Sequence, residues 1–500
     1  MERNRLVVLT GLILLLASCG GKEQPVRPAS PGVRVSEKLV GSYEALFEVQ
    51  ALDCATLHYG VTQDMPMSLE TGSTGPISTE ISLSGLDPLK EYILYVQGEG
   101  PAGELGNVVT LPFSTTKGPS GAPSFADISL VTLGWHNYNP PAWTVERFAS
   151  HVSYGGKWLF DAFLCIEGWD PVRSLSYSLT NNRLSSVKES WEDLLEAWLG
   201  ADGALNKLDA AISDAVGELG TPPSARYIVM SVPDPTRYRD FADKKSSTTY
   251  WGQLDGRTLD FAKTEDQLAA YRWFMDRCRS LFRERGFRYL ELAGFYILSE
   301  ELPLDPAFYQ AAGESYSQAD TWNWRYKNWE ILVPQVASYT HNRKEGLWWI
   351  PYHLAPGYKV WRELGFDSAF MQPNYYWDHG SISHPMSETK KALQKYRMGI
   401  ELEFEYSLVA SVMADGRKAP DGEGNPTFTA ADVPMLRGRV REYMQMYRST
   451  GLYGVLPFAV YSGTDAWHQL ATSADPGDME MFKELCTFIQ ESPLKRCRRY

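Results

Sequence analysis

The sequence predicts two folds in one chain of 500 residues: a small antiparallel β-sandwich, then a (β/α)8 barrel. Three observations predict them. Short alternating runs separated by turn residues fill 34–117. Eight apolar strand-like runs, with helix-like segments between them, fill 118–500. All 16 Trp lie between Trp135 and Trp467, so the two parts differ in composition as well as in pattern. With 44% hydrophobic and 22% charged residues, the chain is not a disordered one. Its net charge of −13 has the wrong sign for a non-specific nucleic-acid binder.

Residues 1–18 read as a targeting segment. Arg3 and Arg5 precede an apolar run from Leu6 to Leu16, which is short for a membrane span. Leu16-Ala17-Ser18-Cys19 resembles the bacterial lipobox. That resemblance implies cleavage before Cys19, which becomes the new N-terminus and is diacylated, and anchoring by two or more acyl chains. Gly20 follows rather than Asp, which by lipoprotein sorting rules implies the outer membrane. Residues 19–33 are rich in Gly, Pro, Ser and charge and read as the lipidated Cys with its tether. The other five cysteines have irregular spacing. Cys486 and Cys497 could pair, but free buried thiols are the expectation.

The sandwich strands are Ala45–Ala51, Thr56–Thr62, Ile77–Leu83, Tyr92–Gln97 and Val108–Phe113. Leu86-Asp87-Pro88-Leu89-Lys90-Glu91-Tyr92 resembles the tyrosine corner of fibronectin type III domains. No aromatic platform accompanies it, so a spacer role is favoured over glycan or protein binding.

The barrel strands are Ile128–Trp135, Trp158–Ile166, Tyr227–Val232, Tyr289–Leu298, Leu347–Tyr352, Ser368–Asn374, Gly399–Phe404 and Gly454–Val460. Leu205, Leu208, Ile212, Val216 and Leu219 form one helical stripe closed by Gly220 and Pro222. Thr264 and Gln267 read as a capping box, and Gly286 ends that helix. Trp322–Thr340 and Leu436–Tyr447 are further helices. Helix-to-strand links are short and strand-to-helix links long. In a barrel the long links collect on the C-terminal face, where active sites sit.

Two strand ends carry carboxylates. Strand four ends in Ser299-Glu300-Glu301, and strand seven reads Gly399-Ile400-Glu401-Leu402-Glu403-Phe404-Glu405. Alternation puts Ile400, Leu402 and Phe404 on one face and the three Glu on the other, toward the barrel interior. Glycosidic cleavage needs one protonated carboxyl and one ionised carboxyl across a pocket. An acid/base on strand four with a nucleophile on strand seven resembles the retaining (β/α)8 glycosidases. The resemblance implies Glu300 as acid/base and Glu403 as nucleophile, with Glu405 as its rival. Ser299 departs from that pattern, which places Asn there.

The remaining substrate-binding candidates sit at strand ends or in loops: Trp135, His136, Asp161, Asp234, Trp251, Tyr352, Gln372, Asn374, Tyr375, Trp377 and Trp467. Aromatic rings stack on the C–H faces of sugars, and the polar groups suit hydroxyls. The eight His include no HxH or HExxH pair, and no G-x-S-x-G elbow is present, so neither a metal nor a cofactor is expected. Tyr227 to Pro235, Gly294 to Glu301 and Gly399 to Glu405 resemble the family of domain of unknown function 4855. The expected protein is a lipid-anchored hydrolase of a poly- or oligosaccharide. Its rival is a surface glycan-binding lipoprotein on the same scaffold.

Overall fold

The computed structural model describes residues 30–40, 44–62, 73–76, 80–84, 91–115, 123–135, 142–178, 184–321, 328–414, 416–420 and 426–497. The targeting segment with Cys19, most of the tether, the Leu86–Lys90 part of the tyrosine corner, and His136 lie outside these residues. The chain divides into two compact units, Met1–Gly121 and Ala122–Tyr500.

The first unit is a sandwich of two antiparallel sheets. Gly32–Val40, Glu44–Leu52 and Glu80–Ser84 form a three-stranded antiparallel sheet. Ser73–Pro76, Thr56–Thr62, Glu91–Glu99 and Val109–Ser114 form a four-stranded one. Alternate residues of both sheets share one core: Phe47, Val49, Leu57, Ile81, Leu94, Val96 and Phe113. The Tyr92 ring enters that core and stacks on Phe113 at 5.6 Å. The sequence reading missed Gly32–Val40 and Ser73–Pro76, the first of which begins inside the expected tether.

The second unit is a closed barrel of eight parallel strands in sequence order. They are β1 Asp127–Thr132, β2 Ala162–Ile166, β3 Arg226–Val232, β4 Leu290–Ile297, β5 Gly346–Trp349, β6 Ser368–Met371, β7 Gly399–Glu403 and β8 Phe458–Tyr461. Several stop short of the expected C-terminal ends. Pro351 and Pro373 have no N–H to give a ladder, so β5 and β6 end just before them. Gln372 and Asn374 are thereby left off the sheet, at the mouth.

Helices follow the strands as the apolar stripes require. Ala204–Leu219 closes on Gly220 at φ 74°, and Thr264–Arg285 closes on Gly286 in the left-handed region. The expected capping box is not formed. Thr264 is already helical, Lys263 takes the cap position without a side-chain bond, and Asp266 instead accepts from the Asp260 N–H at 2.9 Å. Val433–Ser449 backs β7. Cys54, Cys165, Cys278 and Cys486 are free and buried. Among the described residues no helix is long and apolar enough to cross a membrane.

The N-terminal end of the barrel is sealed twice. Trp348 packs on Phe125 at 5.3 Å over the small interior positions Gly294 and Gly346. Beside it, Lys495 pairs with Asp127 at 2.9 Å and Asp161 at 3.4 Å, and Arg226 reaches Asp161 at 3.5 Å. Burial pushes the Asp127 carboxyl up to about 7, with Lys495 opposing.

Candidate active site

Strand register decides which side chains enter the mouth. Paired residues of parallel neighbours face the same side. The pairs Ser231 with Tyr296, Tyr296 with Trp348, and Glu403 with Tyr461 put these groups inside. A bulge in β4 skips Ala293 between the partners of Ile228 and Val229. The residue after it, Gly294, sits at φ 150°, and a Cβ there would collide with the Gly346 carbonyl. The bulge resets the alternation so that Tyr296, and two steps apart Leu298 and Glu300, share the interior phase.

Glu300, Glu401 and Glu403 thus converge from β4 and β7. Glu300 accepts a hydrogen bond from Gln372 Nε2 at 3.1 Å. Glu403 is 1% exposed and accepts from the Tyr443 hydroxyl at 2.9 Å and from the Asn374 main-chain N–H. Glu401 lies one layer deeper, 2% exposed, and among the described residues no side chain donates to it. Glu405, beyond the strand end, meets the Tyr461 hydroxyl at 3.4 Å and lies against Gly463.

Burial dominates the electrostatics of all three. It pushes Glu403 up to about 8; Tyr443 and Asn374 oppose, while Glu300 and Asp378 add. Burial also raises Glu300, against the Gln372 bond and with a contribution from Glu301. Glu401 is raised well above the usual carboxylate value by burial and then by the charges of Glu403 and Glu300.

The segment after β6 builds one wall. Asn374 takes the left-handed conformation at φ 56°, which Asn tolerates, and turns the chain into a short helical turn, Tyr375–Trp377. Its side chain is 9% exposed, and its Nδ2 has no partner among the described residues. Trp377 lies 6.5 Å from the interior Tyr461 ring. Tyr375 packs against Tyr443 at 6.0 Å and under Arg439 at 5.3 Å. Asp378 accepts from both the main-chain N–H of His384 at 2.7 Å and its Nδ1 at 2.6 Å. From β5, the Tyr352 hydroxyl meets His384 Nε2 at 3.2 Å, and its N–H donates to the Glu300 carbonyl at 3.1 Å.

The ends of β2 and β3 hold the mouth's far side, with the expected Trp135 and Asp234. Glu167, at the end of β2, is clamped by Thr132 Oγ1 and the N–H groups of Trp135, Gly168 and Trp169. Trp135 is half-buried there. Asp234, past β3, is buried and accepts from the Tyr271 hydroxyl at 3.4 Å.

Three candidates are corrected. Asp161 is at the opposite end of the barrel, because β2 starts at Ala162; Lys157–Trp158 belongs to a separate hairpin with Ser153–Tyr154. Trp251 is 1% exposed among Trp191, Phe261 and Trp273, because its long loop folds back onto the helices. Trp467 is 1% exposed and packs on Phe160 and Phe482, its Nε1 donating to the Ser150 carbonyl. Ser299 is fully buried and turns its hydroxyl to the Glu301 carbonyl, not to the mouth.

Sequence reasoning missed Tyr443, Asp378 and His384. Tyr443 looks like one more member of the apolar stripe Leu436, Val440, Tyr447. The loop spacing of Asp378 and His384 has no periodic signal at all.

The sequence of residues 127–418 matches the model of the domain of unknown function DUF4855. The chain belongs to this family. The family's description carries no function. No curated protein matches the chain. Among solved structures, a Bacteroides ovatus GH5 xyloglucanase in complex with a XXXG heptasaccharide is similar at 11% identity, over 91% of this chain and 100% of that one, with a TM-score of 0.35. The cell-surface-expressed chitinase ChiW from Paenibacillus sp. str. FPU-7 is similar at 9% identity, over 94% of this chain and 42% of that one, with a TM-score of 0.35. The fn3 domain of human collagen alpha-1(XX) chain is similar at 18% identity, over 20% of this chain and 95% of that one, with a TM-score of 0.16.

Proposed function

We propose that this DUF4855 barrel hydrolyses a glycosidic bond of a poly- or oligosaccharide with retention of configuration. The observation that carries the reading is the carboxyl pair at the ends of β4 and β7, Glu300 and Glu403, each held by donors at a mouth that also offers Asn374, Tyr352 and Trp377. The roles follow the strand-four and strand-seven pattern of retaining (β/α)8 glycosidases. Glu403 on strand seven is the nucleophile, and its two donors oppose the burial that holds its proton; Glu300 on strand four delivers the proton to the leaving oxygen and then activates water. Glu403 attacks the anomeric carbon as the bond to the leaving oxygen breaks, and water then releases the sugar. The lipobox cysteine, Cys19, would anchor this barrel at the outer membrane through the tether, with the sandwich as spacer.

A second reading, glycan binding without cleavage, is favoured by the burial of Glu403. A carboxyl at about 8 keeps its proton at neutral pH and cannot attack. The two readings part on pH. A hydrolase gains activity as pH rises toward about 8, because its nucleophile ionises there; a binding protein shows no turnover at any pH.

The test is release of reducing ends from a panel of soluble neutral, acidic and amino-sugar polysaccharides. Glu300→Gln and Glu403→Gln should abolish release and keep binding. Product anomers followed by NMR should show retention. Wild-type activity in both variants, or an inverted product, defeats the assignment.

A further inference from the structure

Tyr352, His384 and Asp378 form an unbroken hydrogen-bonded chain at the mouth, and neither Asp378 nor His384 is accounted for by the two-carboxyl mechanism. A carboxylate only accepts, so the 2.6 Å contact from Asp378 Oδ1 requires a proton on His384 Nδ1. The other carboxylate oxygen takes the His384 main-chain N–H at 2.7 Å, which fixes ring and backbone together. A neutral imidazole protonated at Nδ1 has a bare Nε2. That nitrogen lies 3.2 Å from the Tyr352 hydroxyl, and in this tautomer the phenol donates to it. The phenol proton is then committed to Nε2, and the lone pairs of Tyr352 Oη are left free to accept. The side chain is 42% exposed, and both Glu300 and Glu403 lie within its electrostatic reach. His353 packs edge-on to His384 at 5.1 Å, and burial pushes it down to about 4, so it brings no positive charge to the site.

We propose that Asp378 and His384 are positioning residues that set the polarity of the Tyr352 hydroxyl, making it an acceptor for a sugar hydroxyl beside Glu300 and Glu403. The inference rests on the glycan reading of the mouth. It adds a specificity rule: the sugar seated there must present an O–H donor to Tyr352, and an analogue with fluorine or hydrogen at that position loses the contact.

The experiment reads the tautomer first, without any ligand. In full-length protein labelled with 15N-histidine, His384 should show Nδ1–H and an unprotonated Nε2. In Asp378→Asn the single side-chain oxygen must still serve the main-chain N–H. The amide NH2 then faces Nδ1, Nε2 takes the proton, and the phenol is turned into a donor. Binding of the panel glycan that wild-type protein retains best should weaken about tenfold, the worth of one hydrogen bond. Tyr352→Phe should weaken it equally, and the double variant should weaken it no further, as expected of residues that act as one unit. An Nε2–H tautomer in the wild type overturns the proposal, as do additive losses in the double variant. If the tautomer is as stated and wild-type protein binds no glycan in the panel, the glycan reading fails and takes this role of Tyr352 with it.

Discussion

Replacing Glu403 by Gln should make the barrel more stable in alkali while removing its activity. An ordinary Glu titrates at 4.5, and burial moves Glu403 to about 8. One pKa unit is about 1.4 kcal/mol, so holding that proton against alkali costs the fold up to roughly 5 kcal/mol. Below pH 4.5 the carboxyl is neutral in both the folded and the unfolded chain, and stability is complete. As pH rises from there to about 8, the unfolded chain releases the proton and the folded chain keeps it, so stability falls; above about 8 the loss levels off. Gln keeps the oxygen that accepts from Tyr443 and has nothing to ionise. The variant should therefore match wild type near pH 4 and exceed it by as much as roughly 5 kcal/mol near pH 9. Urea denaturation followed by tryptophan fluorescence is the assay, and it reports the barrel alone because all 16 Trp fall there. A stability difference that stays flat with pH, or a variant weaker than wild type in alkali, refutes the idea that burial holds this proton.

Burial favours the protonated form of Glu401, and among the described residues no side chain donates to it, so Glu401→Gln should change hydrolysis less than about tenfold; a loss as deep as that of Glu403→Gln would make Glu401 the working carboxylate. Lys495→Met leaves Asp127 buried beside Asp161 without its ammonium and should cost roughly 3–5 kcal/mol near pH 8, less in acid where Asp127 takes a proton, with glycan binding unchanged. Gly294→Ala forces a Cβ into the Gly346 carbonyl at φ 150° and should destabilise by at least about 2 kcal/mol, with loss of turnover because the bulge aims Glu300. Trp251→Ala should cost roughly 3–5 kcal/mol as a core cavity, measured by denaturation. Trp377→Ala should weaken glycan binding at little cost in stability, and the reverse pattern would restore Trp251 to the rim.

Much of the barrel was legible because its signals are local. Helical stripes, Gly at helix ends and the inequality of loop lengths all act within a few residues of chain, and they placed eight strands in order. The strand-seven alternation alone put Glu401 and Glu403 on the interior face, since a period of two leaves no other choice. Errors came where a residue's fate depends on chain far away. Asp161 and Glu167 bracket one strand, and only the start of β2 at Ala162 decides that the first faces Lys495 and the second the mouth. Trp251 and Trp377 both sit in long loops; the first ring packs among Trp191, Phe261 and Trp273, the second lies beside the interior Tyr461.

The sequence by itself therefore determined two folds and the interior face of β7 on which Glu401 and Glu403 stand. It did so because side-chain direction along a strand and capping at a helix end are short-range physics. Only the tertiary structure decided how Glu300 and Glu403 behave. Their proton affinities arise from burial and from donors on other elements: Gln372 from β6, Tyr443 from the helix behind β7, and Asn374 from the turn after Pro373. The same holds for the Asp378–His384–Tyr352 chain, whose polarity follows from three hydrogen bonds between groups that no sequence period relates.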